Sequence, residues 1–321
     1  MKRTFLKQQT YVPILDNNQD LVHFDKNDNL WKLGKHNAND VQTKKQTMVH
    51  IATTPGKGMT LEELDRILKQ DIELIPEEYD GCYEWISEAI KEYAKPENKA
   101  NITVDDMNFL YSLAVGTWKM SINVKKDRLA NSNLCKKSRD HLTEIIDSVW
   151  NRALTQKHYF HHTRHSGGDG SPQVGMFGTG FMTFSGKLSD KDAKSFIKMC
   201  TDIVDLNDDN KIYDICSNTL NSDYEGKGLK SASASAILHC FKPYVFPIIN
   251  NNDGHGTIYE FFKVDIKNIK ALSEYINNCK KIKEFRDSNY TFKNYRILDV
   301  AIWAIDNKDF DLDSYVKMKK V

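Results

Sequence analysis

Three stretches carry residue types whose spacing suits chemistry on a phosphodiester or a sugar. In "YEGKGLKSASASAILHCF", Gly226, Gly228 and Ala232 stand as G-x-G-x-x-x-A between two helical patterns. Paired glycines permit a tight turn and close approach of another backbone. The helix that follows opens with unsatisfied N–H groups and a positive dipole end, which attract phosphate. Lys227, Lys230 and Ser231 add charge and a hydroxyl at that point. A plain tight turn between helices is the structural alternative.

The second stretch, "PIINNNDGHG", holds Asn250 and Asp253. A carboxylate at 253 can stabilise a cationic sugar or activate a nucleophile; the amide of Asn250 can do neither. Turn formation at Asn250 and capping of the following "TIYEFF" by Asp253 are the competing structural roles. Lys230 is an amine nucleophile only if burial or a neighbouring charge lowers its pKa; otherwise it is a phosphate contact.

The third stretch, "KHYFHHTRHSGGDGSPQVGMFGTGFMTF", is too long and Gly-rich for a routine connector. Arg164 can meet phosphates, and His162, Phe177 and Phe181 can border a pocket in which a base stacks. The phenylalanines equally suit a core. The histidine spacing matches no usual ligand pattern, so no metal is expected. Two further segments mix cations with apolar residues. Lys125, Lys126, Arg128, Lys136, Lys137 and Arg139 form one candidate backbone-tracking patch. Arg286, Lys293, Tyr295 and Arg296 form another, with Phe292, Ile297 and Trp303 expected in the core.

These residues must be positioned by the elements around them. The chain has 321 residues and a net charge of +1, so a nucleic-acid surface must be a local patch. Residues 1–58 are polar, with strand-like patches between turn signals, and predict a small β-containing part. From residue 59 to 321 apolar residues recur at helical spacing, interrupted by the loop at 157–187. Thr60 and Glu63 have capping-box spacing. The small residues after Gly228 predict close packing of the second hairpin helix on the first. Six scattered cysteines without a C-x-x-C pair point to reduced thiols, and no apolar run approaches a membrane span. A cytoplasmic protein without a cofactor is expected.

The G-x-G-x-x-x-A hairpin and the apolar "FKPYVFPIIN" after its second helix resemble the helix-hairpin-helix DNA glycosylases over about 30 residues. That resemblance implies a mainly α, glycosylase-like helical core. In that superfamily the apolar segment ends in a catalytic Asp; here the position is Asn250, with Asp253 three residues on. Bifunctional members carry a lysine where this chain has Lys230. A fainter likeness links "GMFGTGFMTF", "SAILHCFKPYVFPIIN" and "KKIKEFRDSNYTFKNYRILD" to the DNA-recognition regions of McrB-like restriction ATPases, without any P-loop. Together they imply a glycosylase that flips and excises a modified base from foreign double-stranded DNA, for example one with modified cytosines, leaving an abasic site. The alternative is a non-catalytic reader of modified DNA that works with a defence-system effector. A helical interaction protein is a third reading.

Overall fold

The computed structural model describes residues 60–70, 81–115, 121–155, 188–220, 229–249 and 262–299, with residue 259 and five short strands. The protein is mainly helical. Nine α-helices are described: α1 Leu61–Leu68, α2 Cys82–Ala94, α3 Val104–Ala114, α4 Ile122–Asn131, α5 Lys136–Thr155, α6 Asp190–Asp202, α7 Asp209–Thr219, α8 Ser231–Phe241 and α9 Tyr275–Asn289. Two 3₁₀ turns lie at Pro96–Asn98 and Leu272–Glu274. Strands β1 (Ile14–Leu15), β2 (Leu21–Phe24) and β3 (Leu30–Lys32) pair antiparallel in that order. Strands β4 (Ile72–Leu74) and β5 (Val316–Met318) form an antiparallel pair, Ile72 opposite Met318.

Helix starts follow local chemistry. The Thr60 N–H donates to Glu63 Oε2 at 2.9 Å, and the Glu63 N–H donates to Thr60 Oγ1 at 3.1 Å. That is the capping box expected from spacing alone. Ser189 and Asp192 repeat it at α6. At α3 the Asp106 carboxylate takes the Thr103 N–H at 2.8 Å. It also accepts from Tyr93 Oη at 2.9 Å and from the Asn133 N–H at 2.8 Å, tying α2, α3 and the end of α4 through one buried group. Buried carboxylates persist where several donors receive them.

Helix α2 is the hub. It packs against α3, α5, α6 and α8, and buries Trp85, Ile86, Ala89, Ile90 and Tyr93. Its entry is close to α5: a Cβ at Gly81 would collide with the Val149 side chain. Among the described residues, no helix is long and apolar enough to cross a membrane. None of the six cysteines forms a disulfide, and five of them are buried.

Candidate functional site at the N-terminal end of α8

Helix α8 carries small residues because it runs through the centre of the helical assembly. Ser231, Ala234, Ser235, Ala236 and every residue from Ile237 to Phe241 are buried. Its principal neighbours are α2, α3 and the Leu272–Glu274 turn, while α7 packs on α6 and α9. The expected close packing of α8 on α7 is therefore corrected. Tyr83 of α2 meets α8 at His239, with ring centres 5.6 Å apart.

At the N-terminal end, Lys230 is the extended N-cap residue and is exposed. Exposure suits a phosphate contact better than the enclosed site that an amine nucleophile needs. Ser231 was expected beside it as a phosphate donor. Instead its side chain is fully buried, and its hydroxyl donates to the Ala271 carbonyl at 2.7 Å. Its backbone N–H donates to the Lys270 carbonyl at 3.4 Å. The first turn of α8 is thus tied to the loop leading into the Leu272–Glu274 turn.

The segment after α8 is built differently from a strand. Residues 243–249 are "PYVFPII", and two prolines remove two of the N–H donors that a sheet ladder would need. The segment forms a turn and then an irregular run buried from Val245 to Ile249. Its carbonyls are met by groups from surrounding elements. Pro243 O accepts the Tyr295 N–H at 3.0 Å. Tyr244 O accepts Arg286 Nη1 at 3.1 Å, and Val245 O accepts Tyr213 Oη at 2.7 Å. Phe246 O meets His239 Nδ1 at 2.7 Å, Pro247 O accepts Tyr275 Oη at 3.2 Å, and Ile249 O accepts Ser235 Oγ at 3.2 Å. Buried backbone oxygens need partners, and here side chains supply most of them. Three helices, α7, α8 and α9, and the turn at residue 295 fix the path.

These bonds also set direction. Phe246 is held by His239, and Ile249 by Ser235 one helical turn earlier. The segment therefore runs antiparallel to α8, and the chain leaves Ile249 near the helix's N-terminal end.

The His239 bond fixes a tautomer. A carbonyl only accepts, so Nδ1 carries the hydrogen and the neutral Nε2 accepts from Tyr83 Oη at 3.0 Å. Burial pushes this imidazole down to about 4.

Of the residues singled out for chemistry, Lys230 and Ser231 are described. Gly226, Lys227, Gly228, Asn250, Asp253, His162, Arg164, Phe177 and Phe181 lie outside the described residues. So does the loop at 157–187. The two cationic patches are corrected. Lys125 is wholly buried; its Nζ donates to Ser112 O and, at 2.8 Å, to Val115 O. Arg128 donates to Asn108 O at 2.9 Å, Arg139 to Leu134 O at 2.7 Å, and Lys126 pairs with Asp147 at 2.5 Å. Lys136 and Lys137 remain exposed. These cations cap helix ends and bridge helices instead of forming one surface.

The second patch divides likewise. Arg286 is buried and lies over the Tyr295 ring at 4.4 Å; its guanidinium also donates to Lys293 O at 2.8 Å. Tyr295 is buried with Phe292 and Ile297, as expected for the latter two. Arg296 pairs with Asp299 at 2.5 Å, and Lys293 stays exposed. Sequence reasoning missed the roles of Tyr213, Ser235, His239 and Tyr275. The signal for them was the pair of prolines in an apolar run, which implies carbonyls needing side-chain donors.

Comparison with protein-family models, with curated proteins and with solved structures finds no match.

Proposed function

We propose that this chain is a DNA glycosylase-like protein that grips duplex DNA at the N-terminal end of α8 and excises a modified base. The observation that carries the reading is the clamped segment 243–249, which returns along α8 toward the end where Lys230 is exposed. That path brings the chain entering "NNNDGHG" back toward the helix end that follows the G-x-G hairpin. In the reaction, the bond between the base nitrogen and sugar C1′ breaks, water adds to C1′, and the base leaves protonated. Asp253 would oppose the positive charge developing on the sugar. The hairpin, with Lys227 and Lys230, would hold phosphates, and Arg164 would add to that grip. His162, Phe177 and Phe181 would wall the base pocket.

The test incubates the protein with DNAs carrying ordinary, hydroxymethylated or glucosylated cytosine and detects abasic sites with an aldehyde-reactive probe. Abasic sites confined to one DNA, and lost in Asp253→Asn, are expected. A second reading is favoured by the uncharged Asn250 at the position where the glycosylases carry Asp: a reader of modified DNA serving a separate effector. Selective binding without abasic sites would establish the reader. Absence of both binding and abasic sites would remove the DNA reading.

A further inference from the structure

We infer that the loop at 264–271 is a second DNA-backbone contact, in which Lys267 and Lys270 extend the phosphate-binding surface begun by Lys230. The inference rests on the DNA reading above and adds a site to it.

Three observations carry it. First, Lys230, Lys267 and Lys270 are exposed, and none forms an ion pair with a described residue. The neighbouring lysines of α9 differ: Lys280 pairs with Asp214 at 3.4 Å, Lys281 with Asp265 at 2.8 Å and Lys283 with Asp209 at 3.5 Å. The carboxylate nearest to Lys267 in sequence, Asp265, is hydrogen-bonded to Lys281, and Lys267 adds only a weaker attraction to it. Glu274, beyond the loop, accepts from Asn277 Nδ2 at 3.2 Å. Within the loop at 264–271 the lysines therefore outnumber the single carboxylate, Asp265, whose bonded partner is a third lysine.

Second, the loop is held from inside. The fully buried Asn278 receives the Lys267 N–H on Oδ1 at 3.0 Å and donates Nδ2 to Lys267 O at 2.7 Å. Ser231 donates to both Lys270 O and Ala271 O. Asn268, at φ 32°, turns the backbone between these anchors, and the Ala271 N–H closes the turn on Asn268 O at 2.8 Å. A backbone fixed in this way presents cations with little ordering left to do on binding.

Third, the anchors fix proximity. The backbones of Ser231 and Lys270 are hydrogen-bonded, so the residues preceding and at that bond, Lys230 and Lys270, are neighbours. Lys267 lies three residues before Lys270, with Cα atoms no more than about 10 Å apart. The backbone positions of the three lysines form a short row at the helix end toward which the 243–249 segment returns. Phosphodiester oxygens along a DNA strand fit such a row, and they are bound by lysine as a point charge without sequence preference.

The test measures binding of a labelled duplex of about 20 base pairs containing hydroxymethylcytosine, by fluorescence polarisation, between about 50 and 200 mM salt. Lys267→Ala/Lys270→Ala should weaken binding several-fold and flatten the slope of log affinity against log salt by about 1 to 2. Lys280→Ala/Lys283→Ala, which removes two paired lysines of α9 and keeps the Lys281–Asp265 pair intact, should leave that slope unchanged. The inference falls if Lys267→Ala/Lys270→Ala keeps the parent slope, or if the control flattens it as much. If the parent protein fails to bind any of the duplexes, the DNA reading falls and takes this inference with it. If Lys227→Ala/Lys230→Ala weakens binding and Lys267→Ala/Lys270→Ala does not, the inference alone falls.

Discussion

The Lys125 ammonium lies inside the protein, 2.8 Å from the Val115 carbonyl oxygen and 5.2 Å from the centre of the Trp85 ring. It caps the C-terminal carbonyls of α3, where a helix end is partially negative. Burial lowers its pKa to about 7. Between that value and the ordinary lysine value of 10.5, the unfolded chain binds a proton that the folded protein does not. Stability therefore rises with pH across this window. Urea unfolding should show a gain of about 1.5 kcal/mol from pH 7 to 8.5. Above about pH 9 the trend should reverse, because burial raises the thiols of Cys200, Cys216 and Cys279 above 9.0 and unfolding releases their protons. Lys125→Met should abolish the rise; parallel pH profiles for the two proteins would refute the assignment.

His239 gives the opposite end of the pH profile. Its folded pKa of about 4 lies below the ordinary 6.5, so the unfolded state binds the extra proton between them. The stability due to the neutral, doubly bonded ring is complete above 6.5 and is lost as pH falls toward 4. A loss of about 2 kcal/mol is expected between pH 7 and 5, above the range in which Asp65, Glu92 and Asp287 titrate, since their partners lower those carboxyl pKa values further. His239→Gln, which keeps a donor and an acceptor without titrating, should flatten that portion of the curve. A histidine that remained accessible would give the parent no such loss.

Much of this architecture was legible in the sequence, and the exceptions share a cause. Thr60 and Glu63 announced α1 because a capping box is local chemistry. The 3.6-residue recurrence of Trp85, Ile86, Ala89, Ile90 and Tyr93 announced α2 in the same way. Lys125 was misread as part of a surface because the groups that bury it, Ser112 O and Val115 O, belong to another helix. A cation's spacing along its own helix says nothing about which carbonyls end nearby. Arg286 was misread for the same reason: its acceptors Tyr244 O and Lys293 O lie 42 and 7 residues away. At the site, the hairpin glycines were visible as residue types, whereas the tie from Ser231 to Ala271 spans 40 residues.

Arg286 makes a specific demand on its replacement. One guanidinium donates to Tyr244 O, Lys293 O and Asp287 Oδ1 and covers the Tyr295 ring. Lysine has a single charged nitrogen and no planar fork, so it cannot reproduce this geometry. Arg286→Lys should destabilise the protein by about 1.5–3 kcal/mol, and Arg286→Ala by more, in chemical denaturation. A loss below about 0.5 kcal/mol for both would mean that this guanidinium is solvated in solution.

Ser235 and Tyr213 hold opposite ends of the 243–249 segment, through Ile249 O and Val245 O respectively. Ser235→Ala and Tyr213→Phe each delete one hydroxyl and leave a buried carbonyl unmet, so each should cost about 1–3 kcal/mol. Their functional effects should diverge. Ile249 is the residue before Asn250, and loosening it frees the chain at the point where the proposed site begins. Ser235→Ala should therefore lower abasic-site formation, or selective DNA binding, at a temperature where both variants are folded, and Tyr213→Phe should leave these near the parent level. Equal losses in the two variants, tracking only their stabilities, would reduce the clamp to core packing and detach it from function.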